Sequence, residues 1–223
     1  MSIKEETIGL VKKRQFDQLV LHVKNNKKAF KYLYSVLYDT SSIVRWYGIE
    51  AFGILAKELA DRENNLFREI IRRFLWMMNE EGGNVNWSAP QAIGEIIYNQ
   101  PKLYGDMAPM MITASLDEKI FQKGMLWAVG RFGAILPVEV SKFKDEILEF
   151  LSDEDPEIRG LTARIAGICC FKESLSRLLS MKKDASSLEI YIEGEMVKYT
   201  VGSIVEEAIL RIKKCNDELM SNL

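Results

Sequence analysis

Residues 155–167 read DPEIRGLTARIAG, and the fold of the chain can be worked out from this stretch. Asp155 is a residue type that caps helix N-termini, and Pro156 suits the first turn of a helix because a proline there loses no hydrogen bond. Apolar residues follow at helical spacing, at Ile158, Leu161 and Ile165. The stretch therefore predicts an amphipathic helix over 156–170, with a small residue, Gly167, on its apolar side.

The same pattern recurs along the chain. Aligned helices carry a glycine at an equivalent position, with spacings of 41, 36 and 37 residues: Gly53, Gly94, Gly130 and Gly167. Two residues before each glycine the side chain is small or apolar: Ala51, Ala92, Ala128 and Ile165. A fifth copy carries Leu210 in the glycine position, and a shorter apolar helix precedes every copy. Such helix pairs bury their apolar faces by stacking on one another.

Helical spacing covers almost the whole length. The predicted helices span 2–13, 15–24, 27–38, 42–60, 64–79, 86–99, 102–116, 118–135, 138–152, 156–170, 172–181 and 203–214. Ser2 and Glu5 form a capping box at the first of them. Residues 187–200 instead alternate apolar and polar side chains around Glu193-Gly194, which predicts a β-hairpin. We interpret this hairpin as a cap on the end of the stack, with a binding arm as the alternative.

These residues resemble the HEAT family, including the short variety named after the phycobilin lyases. Its second helix has an Asp shortly before a Val-Arg pair, followed by small residues and Gly. Residues 155–167 match best, and residues 41–53 come next. Copies two and three depart from the pattern, with Asn86 and Gln122 where the family usually has Arg. The resemblance implies an all-α, right-handed α-α superhelix (a HEAT-like solenoid) with a small β-hairpin insertion near the C-terminus.

The domain expected from this resemblance is a single repeat domain over residues 1–223. It comprises N-terminal helices over 1–26, five helix-pair repeats over about 27–214, the hairpin over about 187–200 and a C-terminal tail over 215–223.

Composition excludes several classes of function. The 223 residues include 30 basic and 32 acidic side chains, which gives a net charge of −2. This charge disfavours binding to nucleic acid, because the molecule lacks an overall positive field. A single histidine, His22, excludes mechanisms that need a histidine pair. Cys169, Cys170 and Cys215 form no metal-ligand spacing, and we expect them to be reduced. We expect a cytoplasmic protein without cofactor, metal, signal peptide or membrane span.

A candidate binding surface follows from the alignment. In HEAT-like stacks the second helix of each pair lines the concave surface, so its residues outside the core are expected to face a partner. We call the following residues the candidate stripe: Trp46, Glu50, Asn86, Trp87, Gln91, Glu95, Lys123, Trp127, Arg131 and Arg164. Tryptophan and arginine dominate the hot spots of protein interfaces. The alternative for any one indole is packing between helices. In the fifth copy the stripe continues through Ser203, Glu207 and Arg211.

The predicted function is that of a non-enzymatic binding or scaffold module that engages a protein segment through its concave surface. The alternative is a DNA-binding enzyme similar to the alkylpurine glycosylases, which build a HEAT-like solenoid with tryptophans in the groove. Those enzymes also present an aspartate in a cationic cleft, whereas this stripe offers Glu50 and Glu95. A third class, a chaperone resembling the chromophore lyases, rests on the repeat name alone.

The alignment also predicts the effect of two neighbouring substitutions. Ala92→Leu should clearly lower the melting temperature, because a larger side chain in a close-packed helix interface costs roughly 1–3 kcal/mol. Gln91→Leu, on the candidate stripe, should change it little. Thermal melts of the two variants compare these positions, and a larger loss for Gln91→Leu would mean that core and groove are exchanged.

Overall fold

The structure is a computed structural model that describes residues 2–39, 41–79 and 85–221. It consists of two compact units, Met1–Gly124 and Met125–Leu223, and the boundary falls inside one helix. The single-domain organisation stays a prediction.

The first unit is built from short helices. They are α1 (Ile3–Lys12), α2 (Phe16–Asn25), α3 (Ala29–Val36), α4 (Ile43–Leu59), α5 (Asn64–Met78), α6 (Ala89–Asn99), α7 (Pro101–Tyr104), a 3-10 turn (Gly105–Met107) and α8 (Ala108–Leu116). Helix α9 (Lys119–Phe132) begins in this unit and ends in the next. At the start of α1, Glu5 N–H donates to Ser2 Oγ, and Ser2 N–H donates to the Glu5 carboxylate, which confirms the predicted capping box.

The second unit adds a small sheet to the helices. It contains α10 (Pro137–Ser141), α11 (Lys144–Glu149), a 3-10 turn (Phe150–Ser152), α12 (Pro156–Ile168), a second 3-10 turn (Lys172–Ser174), α13 (Leu175–Met181), β1 (Ser187–Ile192), β2 (Glu195–Thr200) and α14 (Val201–Ser221).

Several predicted spans differ from the structure. The predicted helix over 102–116 is interrupted, and α8 restarts with Pro109 in its first turn, where the missing N–H of proline is harmless. The predicted helix over 138–152 divides into α10 and α11 around Phe143. The expected tail over 215–223 is instead helical as far as Ser221, because α14 continues past residue 214.

The small-residue positions of the alignment lie in the core. Ala51, Ala92, Ala128 and Ile165 are all fully buried, as the alignment predicts. In the first unit an aromatic cluster packs beside them, since the rings of Tyr34, Phe52 and Phe74 lie 4.9–5.3 Å apart by centroid.

Two glycine positions bring helices to backbone contact. A Cβ atom at Gly53 would lie 3.0 Å from the backbone oxygen of Glu95, where α4 packs on α6. A Cβ at Gly167 would lie 2.6 Å from Ala208 Cα, where α12 packs on α14. Among the described residues, no atom beyond its own helix backbone and chain neighbours would lie within 4 Å of a Cβ at Gly130. The glycine repeat therefore marks close helix packing in some copies only.

The prediction for the fifth copy was wrong at the position that is aligned with the glycines. Leu210, placed in the glycine position, is 68% exposed, whereas Ala208 is buried and faces Gly167. Side chains on a helix repeat every 3.6 residues, so Leu210, two residues after Ala208, points away from α12.

In the two best-matching copies, the arginine of the second helix forms hydrogen bonds with a later segment of the chain. Arg45 donates to Ser88 Oγ at 3.3 Å. Arg159 donates to Asp184 Oδ2 at 2.7 and 3.1 Å, and both side chains of this ion pair are mostly buried. Burial raises the pKa of the Asp184 carboxyl, but hydrogen bonds from Ser186 and Arg159 outweigh burial and lower it below its usual value.

The predicted hairpin is confirmed. Strands β1 and β2 pair antiparallel, and Ile192 faces Glu195 across a two-residue turn. Both turn residues have positive φ, 48° at Glu193 and 107° at Gly194. A turn of this kind matches the twist of paired strands and favours glycine.

The cysteines differ from the expectation of three reduced thiols. A disulfide joins Cys170 to Cys215, 45 residues later in the chain, and Cys169 is a free thiol. The packing of α12 along α14 brings the two Cα atoms to 6.4 Å, within the usual range for a disulfide. Burial raises the pKa of the Cys169 thiol to about 12.

Two features are absent from the described residues. No helix in them is long and apolar enough to cross a membrane. No group of three or more His, Cys, Asp or Glu side chains in this part of the chain could hold a metal ion.

Two glycine-to-alanine changes in the second unit should have opposite effects. Gly167→Ala should lower the free energy of unfolding by roughly 1–3 kcal/mol, because the new methyl group meets the backbone of α14. Gly130→Ala should raise it by up to about 1 kcal/mol, because alanine is the better helix former and its methyl group has space. Urea unfolding of both variants measures the difference, and equal losses would contradict the proposed contact.

Candidate functional site

The start of α6 determines which part of the candidate stripe faces outward in the first unit. The predicted helix began at residue 86, but α6 begins at Ala89 with Pro90 in its first turn. Trp87 therefore lies in the preceding turn, and its side chain is 53% exposed. Gln91 and Glu95 were expected to face outward beside it, but they lie within α6 and are buried.

Two buried amides at this site lack complete hydrogen bonding. Asn86 Oδ1 accepts from Ser88 N–H at 3.0 Å, but Asn86 Nδ2 has no hydrogen-bond partner among the described residues. Gln91 Oε1 has none there either, and it packs so closely on Gly124 that a Cβ at that glycine would overlap the amide. A buried polar atom without a partner costs about 1–3 kcal/mol. The expectation that both amides face a partner across the groove is corrected by this burial.

The acidic members of the stripe are already engaged. Glu95 is buried beside Gly53, and its carboxylate accepts from Asn99 Nδ2 at 3.3 Å. Glu50 forms an ion pair with Arg14, whose guanidinium donates to both carboxylate oxygens at 2.7 and 3.0 Å. The sequence placed both carboxylates in an open groove. In the structure each of them has a partner within the fold.

Trp46 is buried on α4. The guanidinium of the preceding residue, Arg45, lies 4.6 Å from the centre of its ring, a cation–π contact. For this indole the structure therefore supports the alternative of packing within the fold. Lys123, on α9 in the same unit, is half-exposed.

In the second unit the hairpin covers part of the stripe. Trp127 is buried, and its Nε1 donates to the backbone oxygen of Tyr191 on β1 at 3.2 Å. Leu188 of the same strand lies over Gly160, where a Cβ would come within 2.6 Å of it. Arg131 is half-exposed, with its guanidinium 5.9 Å from the Trp127 ring centre. The outward position expected for Trp127 is therefore taken by the hairpin.

Beside the hairpin lies a cavity of about 200 Å³, which we call the arginine pocket. It is lined by residues of α12, the hairpin and α14: Arg164, Ile190, Ile192, Tyr199, Ile204, Glu207, Ala208 and Arg211. Arg211 forms an ion pair with Glu207 at 2.7 Å. Arg164, a member of the candidate stripe, is partly buried and forms no hydrogen bond or ion pair with the residues that the structure describes.

The surroundings of Arg164 disfavour its charge. Burial lowers the pKa of its guanidinium, and the neighbouring positive charges of Arg131 and Arg211 lower it further. Tyr199 and Glu207 act in the opposite direction without cancelling the shift. The guanidinium stays charged at neutral pH because the ordinary pKa of arginine is so high.

The lining of this pocket was only partly predicted from the sequence. Arg164, Glu207 and Arg211 lie on the aligned stripe of the second helices. Tyr199, Ile190 and Ile192 were missed as site residues, although their alternation predicted the hairpin that carries them. Nothing in the alternation indicates on which helices the hairpin packs.

Because Gln91 is buried, the small effect expected for Gln91→Leu no longer follows, and a new expectation replaces it. Gln91→Met should raise the free energy of unfolding by about 1 kcal/mol, because a side chain of similar shape removes the unpartnered buried oxygen. Gln100→Met is the matched control. Its Nε2 donates to Lys57 O at 3.2 Å, so this change should be destabilising by a similar amount. Chemical denaturation measures both, and a loss of stability in Gln91→Met would contradict the assignment.

Comparison with known proteins identifies the fold. No protein-family model matches the sequence, and no curated protein does so either. A designed armadillo repeat protein is similar in structure, with a TM-score of 0.60 and 14% identity over 94% of this chain and 91% of that chain. The crystal structure of an engineered protein has a TM-score of 0.57 and 12% identity, over 96% of this chain and 98% of the other. At such low identity the likeness shows the fold alone. The chain therefore has the armadillo/HEAT-like solenoid fold, all-α apart from one small hairpin, that its repeats predict.

Proposed function

We propose that the chain is a non-enzymatic binding module that receives a segment of a protein partner on its candidate stripe. The observation that carries this proposal is the exposure of Trp87. Its indole stands at the turn that leads into α6, a helix whose backbone is packed firmly against α4. An exposed tryptophan on a rigid support is the residue type that contributes most to interface hot spots.

The fold is consistent with this role. Stacked helix pairs present side chains from successive helices on one surface, which is how repeat proteins bind extended segments. In such a module the partner would be anchored at a few positions, and Trp87 is the exposed aromatic member of the stripe. A protein partner and a cytoplasmic location stay predictions.

The side chains available for chemistry favour binding over catalysis. The only histidine, His22, lies on α2, and its Nε2 contacts Thr7 Oγ1 on α1 at 3.0 Å. Glu50 is paired with Arg14, and Glu95 is buried at the α4–α6 contact. These two carboxylates are the acids that a glycosylase-like mechanism would have to use. The comparisons lend that alternative no support, and we do not propose it.

The test compares two exposed tryptophans. Trp87 is 53% exposed and Trp76, on the first helix of its pair, is 61% exposed, so neither change to alanine should unfold the chain. A partner captured with the full chain is identified, and its bound segment is made as a labelled peptide for fluorescence anisotropy. Trp87→Ala should weaken peptide binding about 30-fold, the size expected for a hot-spot residue.

Trp76→Ala should leave the affinity of the peptide unchanged. Equal weakening in both variants would indicate a general loss of folding or solubility, which circular dichroism would reveal. If Trp87→Ala binds the peptide as tightly as the unmodified chain, the proposed docking surface is wrong.

A further inference from the structure

The arginine pocket contains a positive charge that has no hydrogen bond or ion pair with the residues that the structure describes. Other arginines of the second unit donate to acceptors within it. Arg159 binds Asp184, Arg177 donates to the Leu148 carbonyl oxygen at 3.0 Å, and Arg211 pairs with Glu207. Arg164, by contrast, forms no hydrogen bond or ion pair with the described residues, although burial removes much of its water. A guanidinium has five N–H donors, so this position can accept an external anion.

The charges around the pocket favour an anion. The lining holds two arginines, Arg164 and Arg211, and one carboxylate, Glu207, so two positive charges against one negative leave an excess of one. These groups lie close enough to shift the titration of Arg164, which places them in one electrostatic environment. A bound anion would give the Arg164 guanidinium back the interaction energy that it lost on leaving water.

Four of the eight lining residues are apolar. Ile190 and Ile192 come from the hairpin, and Ile204 and Ala208 come from α14. This part of the pocket offers hydrocarbon contacts and little polar chemistry besides the Tyr199 hydroxyl. At about 200 Å³ the cavity has room for a small group only. A carboxylate fits this division better than a phosphate, since the oxygens of a phosphate would extend toward the isoleucines and lose water there without a donor.

We propose that the arginine pocket binds a carboxylate carried on a short apolar group, with the carboxylate on Arg164 and the hydrocarbon against the three isoleucines. The carboxylate has two possible sources, a free short-chain acid or an acidic residue of a bound protein segment. For the second source the inference rests on the function proposed above and specifies which side chain of the segment enters the second unit.

The experiment titrates the full chain with three small probes, followed by NMR or calorimetry. Isovalerate supplies the carboxylate and a branched hydrocarbon, isovaleramide has nearly the same shape without the charge, and inorganic phosphate supplies charge without hydrocarbon. Isovalerate should bind at least about tenfold more tightly than the amide, because hydrogen bonds to a charged group are the stronger kind. Equal binding of isovalerate and isovaleramide, or tighter binding of phosphate, would overturn the proposal.

Substitutions then locate the probe. Arg164→Gln should weaken isovalerate binding about tenfold or more, and Arg164→Lys, which keeps the charge but not the planar donor pair, should fall between. Lys183→Gln removes the same charge from an exposed position of the second unit outside the pocket and should leave the affinity unchanged. Equal melting temperatures of the unmodified chain and the three variants establish that folding is intact. An unchanged affinity in Arg164→Gln would overturn the site.

A peptide arm separates the two sources. An acetylated, amidated tetrapeptide with the sequence Gly-Ile-Glu-Gly is compared with its Gln counterpart and with isovalerate. Tighter binding of the Glu peptide than of isovalerate, lost in Arg164→Gln, supports a protein segment as the source, whereas binding of isovalerate alone supports a free acid. A partner whose binding needs Trp87 but not Arg164 would rule out the protein segment as the source of the carboxylate and leave the proposed function standing. Isovalerate bound at Arg164 without any partner dependent on Trp87 would support the pocket and contradict the proposed function.

Discussion

Backbone contact between neighbouring second helices is the constraint on which the rest of the structure depends. In the second unit α12 and α14 meet at Gly167 and Ala208, with no side chain between their backbones. This closeness brings Cys170 to Cys215, and it places Arg164 and Glu207 on the walls of one cavity. In the first unit the contact at Gly53 buries Glu95 against α4. A small residue at each contact therefore decides which side chains reach a surface at all.

The hairpin changes the character of the second unit. Without it, Trp127 and Gly160 would be part of an open helix face, as the repeat pattern implies. Leu188 fills the space over Gly160, and the Tyr191 carbonyl accepts the indole N–H of Trp127. A tryptophan with a satisfied N–H and a buried ring is an anchor of the fold. What remains accessible beside the hairpin is a small pocket with a guanidinium, and that geometry suits a small charged group better than a long flat surface.

Polar groups without a protein partner among the described residues occur in both units, and three of them belong to residues of the candidate stripe. Asn86 and Gln91 each keep one buried amide atom without a partner among the described residues, and Arg164 keeps its guanidinium free of protein acceptors in the same part of the chain. Each such group costs free energy that an apolar side chain would not. Sequences that specify a fold well usually violate these packing rules where a function requires it.

The sequence by itself determined the helical repeat, the core position of one small or apolar residue in each of four copies, and the hairpin. Spacing of apolar residues is a local property, so Ala51, Ala92, Ala128 and Ile165 could be placed in the core by counting along the chain. Glu193-Gly194 likewise predicted its own turn. The candidate stripe was predicted less well. Of its ten members, the structure buries Trp46, Asn86, Gln91, Glu95 and Trp127.

Only the tertiary structure decided which of these residues are exposed, because exposure depends on elements distant in sequence. A hairpin more than 60 residues away covers Trp127, with the two partners at positions 127 and 191, and Arg14 reaches Glu50 from 36 residues away. The pairing of Cys170 with Cys215 depends on the same kind of long-range contact. Helical periodicity reports which face of a helix is apolar, and it carries no information about what packs on the other face.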